Sequence, residues 1–174
     1  MLEPAIILIT GIMASGKSTV AQHLAERFTK SVHLRGDVFR RMIVNGRVEM
    51  EADFSQAAYD QLHLRYQLAV NTAQTYCRAG FTVVYQDVVI GPDLKMVVDM
   101  FRNAETPLYV VVLCPSVEVV AMREAARQKT GYTSWSVESL NKVLHSETPR
   151  LGWWVDTSAL SVEETVDTIL QHLE

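Results

Sequence analysis

Eight consecutive residues, Gly11-Ile-Met-Ala-Ser-Gly-Lys17-Ser18, carry the strongest chemical signal in the chain. They fit the pattern GxxxxGK[ST], which suits the binding of a polyphosphate. Such a ligand offers no apolar surface, so it is held by backbone N–H groups, and glycines let the chain wrap where a Cβ would intrude. The apolar run Ala5 to Thr10 before the loop reads as a strand and the segment after it as a helix, whose N-terminus adds partial positive charge. In this reading Gly11, Ala14, Ser15 and Gly16 build the cradle and Lys17 reaches the terminal phosphates. The Ser18 hydroxyl completes the coordination of a Mg²⁺ bridging two phosphate oxygens, and Thr19 helps orient the α-phosphate. A ligand-free Gly-containing turn is the bland alternative.

The loop says what is bound, and acids at other strand ends decide what is done with it. Asp37 follows Ser31-Val-His-Leu-Arg-Gly36, at the end of a predicted strand and the start of a helix. It is a candidate general base, taking the proton from an acceptor hydroxyl during in-line transfer, and a helix N-cap is the compatible structural alternative. Asp87 follows Phe81-Thr-Val-Val-Tyr-Gln86. It can hold Mg²⁺ through water, contact the acceptor, or simply end the strand. Arg40 and Arg41, with Arg35 and Arg47 nearby, are candidates to clamp an anionic or polyhydroxylated acceptor, against the alternative of solvated helix cations. Arg123 and Arg127 stand one helical turn apart before a Gly-containing stretch, which suits a lid over about 123–136 that closes on the phosphates.

Other candidates carry less. Trp153 and Trp154 belong on or beside the last strand and read as core packing, and the five histidines show no metal-binding spacing. Cys77 and Cys114 form no CxxC or Cys/His pattern and read as buried thiols in a reducing compartment.

The elements that bring these residues together are written in the apolar pattern. Short apolar runs, Ala5 to Thr10, Phe81 to Tyr85, Leu108 to Leu113 and Gly152 to Val155, with Ser31 to Leu34 as a weaker fifth, are separated by segments with helical spacing. Val20, Leu24 and Phe28 mark one helix; Leu62, Tyr66, Ala69, Val70, Ala73 and Cys77 mark a long one ending at Gly80. Pro92 to Phe101 and Ser116 to Ala126 read as helices, and Ser161 with Glu164 forms the capping pattern of a terminal one. Strands alternating with helices predict a three-layer α/β fold around a parallel sheet, with the ligand at the carboxyl ends of the strands.

With 174 residues, 48% of them apolar and 21% charged, the chain suits one globular domain, residues 1–174, and not a disordered or disulfide-scaffold protein. A net charge of −4 lacks the basic surplus of a general nucleic-acid footprint. Met1 to Gly11 has neither a basic leader nor a span of membrane length, which points to a cytoplasmic protein with no membrane partner.

GIMASGKST, the Arg35-Gly-Asp37 triplet, the Gln86-Asp87 pair, the Arg123-Glu-Ala-Ala-Arg127 run and the closing Trp154-Val-Asp-Thr-Ser158 resemble the small P-loop kinases of the nucleoside-monophosphate-kinase type. Within that group the likeness is greatest to chloramphenicol phosphotransferase-like proteins, with gluconate and shikimate kinases more distant. The resemblance implies a P-loop NTPase fold of five parallel strands in order 2-3-1-4-5, ATP with Mg²⁺ as donor, and phosphorylation of a small-molecule hydroxyl. It implies the γ-phosphate role for Lys17, the Mg²⁺ role for Ser18, hydroxyl activation by Asp37, lid roles for Arg123 and Arg127, and a place near the adenine for Asp156 and Thr157. Residues 38–60 match no acceptor signature. A nucleoside or nucleotide kinase and a non-catalytic nucleotide-dependent switch are the rival readings, and the chain is expected to be a monomer or homodimer.

Overall fold

The computed structural model describes residues 4–50, 55–101, 106–126 and 135–173. Five strands, β1 (Ile6–Thr10), β2 (Ser31–Arg35), β3 (Thr82–Gln86), β4 (Leu108–Leu113) and β5 (Trp153–Val155), form one parallel sheet in the order β2-β3-β1-β4-β5. Both the weak fifth candidate and the predicted order are present. β1, β3 and β4 are rich in β-branched and aromatic residues, which pack well on a pleated surface.

Alternation along the strands divides the core in two. Ile7 and Ile9 of β1, Val84 of β3 and Val111 and Leu113 of β4 face α1 (Lys17–Glu26) and α7 (Val162–Leu173). Ile6, Leu8, Val83, Tyr85 and Val112 face the other way, onto α3 (Gln56–Arg78) and α4 (Pro92–Phe101). Each fully buried Ile or Leu there contributes about 1.5–3 kcal/mol through loss of contact with water. A short α2 (Asp37–Arg41) follows β2, α5 (Val117–Ala125) follows β4, and α6 (Val137–Lys142) runs into a π-helical turn, Val143–Glu147.

Helix boundaries follow local chemistry. Ser55 caps α3 by accepting from the Ala58 amide at 3.1 Å, and the helix ends before Gly80, at φ 84°. Ser161 and Glu164 make the predicted reciprocal cap of α7, at 2.8 and 3.2 Å. Cys77 is buried, whereas Cys114 at the end of β4 is only half-buried, contrary to expectation; the pKa values of both thiols are raised by burial. Trp153 stacks on His172 at 4.1 Å and Trp154 packs against the α3/α4 core, with the Arg150 guanidinium over its ring. No helix among the described residues is long and apolar enough to cross a membrane.

Candidate active site

The strand order reverses about β1, so the segments leaving β1, β2 and β3 open onto one edge of the sheet, where a ligand crevice forms in such folds. The phosphate loop stands there. Gly11 has φ 145°, and a Cβ on it would lie 2.5 Å from the Leu113 carbonyl oxygen and 2.9 Å from Ser15 Oγ, so only glycine fits. Ala14 takes a left-handed conformation at φ 63°, which helps to curl the backbone around the space a phosphate would fill. Gly16 opens α1, and Lys17 and Ser18 are its first residues. Ser15 and Lys17 are buried, and Lys17 Nζ donates to the Ile12 carbonyl at 2.6 Å. Ser18 and Thr19 are exposed at the mouth, where the Ser18 hydroxyl donates to Gln86 Oε1 at 3.1 Å.

Arg123, from the last turn of α5, joins the loop to the far side of the crevice. Its guanidinium donates to the Ser15 carbonyl and to the Thr157 carbonyl, both at 3.2 Å. Thr157 is buried and its hydroxyl has no partner among the described residues, and Asp156 beside it is exposed and accepts from the Ser158 hydroxyl and amide, contacts that lower its pKa. The residues expected near the adenine therefore sit directly across Arg123 from the phosphate loop. Arg127 and the 127–134 part of the lid expected over about 123–136 lie outside the described residues.

On the opposite flank the structure adds a residue the sequence reading missed. Arg65, in the middle of α3, grips Asp87 with two N–H groups: Nε donates to Oδ2 at 2.8 Å and Nη2 to Oδ1. Tyr85 Oη donates to the same carboxylate at 3.2 Å and the Val88 amide at 2.7 Å. These four donors tie the buried Asp87 carboxylate into the wall of the crevice. Arg65 Nη1 also lies 3.8 Å from Asp37 Oδ1, placing one guanidinium between the two strand-end carboxylates.

Asp37 is the first residue of α2 and remains half-exposed, with Arg41 donating to it at 2.5 Å. Gly36 precedes it with ordinary helical φ, so its conformation does not demand glycine. Space does: a Cβ on Gly36 would lie 1.9 Å from Asp87 Oδ2. The absence of that one carbon lets the helix bearing Asp37 close onto the Arg65–Asp87 pair. Arg40 turns to Glu49 of the following loop, and Gln61 fastens that loop by accepting from the Val48 amide and donating to the Gly46 carbonyl. Arg40, Val48, Leu62 and Arg65 line a small cavity between α2 and α3, on the side where an acceptor was expected.

Among the described residues no group of three or more His, Cys, Asp and Glu side chains is arranged to hold a metal. A nucleotide-bound Mg²⁺ keeps most of its ligands as water and phosphate oxygen, so one hydroxyl at the loop mouth is a sufficient protein contribution, and exposed Ser18 fits it.

A parallel sheet in this order, with a GxxxxGKS loop between β1 and α1, defines a P-loop protein of kinase-like fold. The chain belongs to the AAA-domain family, whose model matches residues 6–146. No curated protein matches the sequence. Its fold is similar to that of the Mycobacterium tuberculosis APS kinase CysC in complex with AMPPNP and APS, at TM-score 0.72 and 16% identity over 99% of both chains. It is also similar to a gluconokinase from Sinorhizobium meliloti 1021, at TM-score 0.67 and 20% identity over 99% of this chain and 93% of that one. The Deinococcus radiodurans tunicamycin resistance protein matches at TM-score 0.69 and 17% identity, over 97% and 95% of the two chains. At these identities the likeness is one of fold.

Proposed function

We propose that this protein is an ATP-dependent kinase that transfers the γ-phosphoryl group to a hydroxyl of a small molecule, a sugar-like metabolite or an antibiotic. The observation that carries the reading is the placement of Asp37, a half-exposed carboxylate beside the anchored Arg65–Asp87 pair, on the sheet edge that bears the phosphate loop. The kinases among the proteins of similar fold and the resemblance to chloramphenicol phosphotransferase-like proteins support the same chemistry.

In this reading the loop amides and Lys17 hold the β- and γ-phosphates, Lys17 exchanging the Ile12 carbonyl for phosphate oxygen as the nucleotide enters. Mg²⁺, held by Ser18 and the phosphates, supplies charge neutralisation when bound. Arg123 ties the loop to Thr157, so phosphate and base are gripped by one connected frame. Asp37 accepts the proton of the acceptor hydroxyl as it attacks, which requires it to be a carboxylate with one oxygen turned to the acceptor. Arg41, which donates to Asp37, orients it with Arg65 3.8 Å away, while Arg40 lines the cavity on the acceptor side. Catalysis is then mostly positioning and electrostatic stabilisation. The acceptor is a small molecule and not a nucleic acid, and the protein works in the cytoplasm as a monomer or homodimer.

ADP release with Mg²⁺-ATP, alone and with a panel of sugars, sugar acids, hydroxylated antibiotics and nucleosides, tests the proposal. Stimulation by one compound, with a product one phosphoryl group heavier, supports it. Slow release that no compound changes contradicts it and favours a nucleotide-dependent switch.

A further inference from the structure

We propose that Gln86 is a positioning residue for the nucleotide's metal ion: its amide oxygen accepts a hydrogen bond from the Ser18 hydroxyl and so aims the Ser18 lone pairs at the cation. The inference rests on the nucleotide-binding reading of the loop and adds a residue to it.

The root of the Gln86 side chain is fixed. As the last residue of β3 it is in register with Ile9 of β1 on one side and Arg35 of β2 on the other, and its carbonyl accepts from the Gly36 amide at 3.0 Å. It is only 7% exposed, and its Oε1 meets the Ser18 hydroxyl at 3.1 Å across 68 residues of sequence. Asp87 is drawn towards α3, where Arg65, Tyr85 and Val88 supply its donors. Successive residues of an extended chain point to opposite faces, so the carboxylate goes to Arg65 and the neutral amide is left to face Ser18.

A hydroxyl that ligates a cation must present a lone pair and send its proton elsewhere. Without a fixed acceptor the rotor is free, and part of the binding free energy goes into orienting it. An amide oxygen provides that acceptor while leaving the negative charge around the cation to the phosphates. Groups that orient a metal ligand in this way typically change metal affinity about 10–100-fold.

The test is binding of a fluorescent ATP analogue to the full chain, titrated with Mg²⁺ and repeated in EDTA, with Mn²⁺ EPR on the nucleotide complex as a direct reading of the metal. Gln86→Leu is expected to lose roughly tenfold or more of the Mg²⁺-dependent gain, to bind Mn²⁺ correspondingly more weakly, and to bind nucleotide in EDTA as the wild type does. Gln86→Glu keeps an acceptor oxygen and is expected to retain the gain. A leucine variant with the wild-type Mg²⁺ response overturns the proposal, as does an equal loss with and without metal, which would mark Gln86 as merely structural. Ser18→Ala separates the two layers of the reading. If it too leaves the Mg²⁺ response intact, the hydroxyl is not the metal's ligand and Gln86 has nothing to orient. Wild-type protein that binds no nucleotide at all would remove the reading on which both depend.

Discussion

Arg65 and Asp87 stand 22 residues apart in sequence and meet as a two-pronged pair in which both carboxylate oxygens are taken. The Asp87 side chain is 1% exposed and that of Arg65 14%, so the pair is sheltered from solvent screening. It joins the middle of α3 to the end of β3, beneath the helix that carries Asp37.

Breaking this pair from one side should be costly. Arg65→Met leaves a buried carboxylate without its countercharge and is expected to destabilise the fold by about 3–5 kcal/mol. Arg65→Met combined with Asp87→Leu should recover much of that loss, because no unpaired charge remains. Urea unfolding of the two single variants and the double variant measures the coupling, and simple additivity would contradict it.

Gly36→Ala should act through space and not through backbone conformation. The added methyl must displace the Asp87 carboxylate or push α2 away from it. The expected result is a loss of about 1–3 kcal/mol, as for other overpacked sites, with a larger proportional loss of phosphoryl transfer than of ATP binding. Calorimetric melting and nucleotide titration together check it.

Asp37→Asn keeps the shape of the side chain and removes its basicity. Turnover with acceptor should fall by roughly 10²–10⁴, the usual contribution of a positioned acid–base group, while ATP affinity stays near wild type. Lys17→Ala should abolish turnover by removing the charge that stabilises the transferring group. Single-turnover rates and nucleotide binding, measured on the same preparations, separate the two effects.

His33 predicts a pH dependence of stability away from the site. Burial, and secondarily the nearby Arg35 charge, lowers its pKa from 6.5 to about 4; Nδ1 lies 2.8 Å from Gln22 Oε1, while buried Nε2 has no partner among the described residues to welcome a second proton. Between those values the unfolded chain binds the proton and the folded chain does not, so this contribution is full above pH 6.5 and is lost as pH falls towards about 4. His33→Asn should flatten the dependence of melting temperature on pH in that window. An unchanged slope would exclude His33 as its source.

How much of this was legible in the sequence depends on how local each signal is. The phosphate loop is one contiguous segment, and its strand and helix are read from the same stretch, so sequence suffices to place it. Asp37 and Asp87 were found because each ends an apolar run. Arg65 was missed because its partner is remote in sequence and its helix was read only for apolar spacing. A charge between Leu62 and Ala69, three residues after one and four before the other, lies on the buried stripe and was the available clue. The glycine before Asp37 was visible, but its reason, the Asp87 carboxylate where a Cβ would be, exists only once β2 and β3 are paired. The π-helical turn after α6 had no separate signature, and its Thr148 hydroxyl, which accepts from the Gly91 amide at 2.7 Å, fixes the turn into α4 from 57 residues away.

Transfer of a phosphoryl group to a carbon-bound hydroxyl can be read directly from its product. The most direct test is to incubate the protein with Mg²⁺-ATP carrying heavy oxygen in its γ-phosphate and a mixture of hydroxylated small molecules, and to follow the label by mass spectrometry. Labelled phosphate is expected on a hydroxyl of one compound, with no such product from Asp37→Asn. Label found only in inorganic phosphate, at a rate the compounds do not alter, would contradict it.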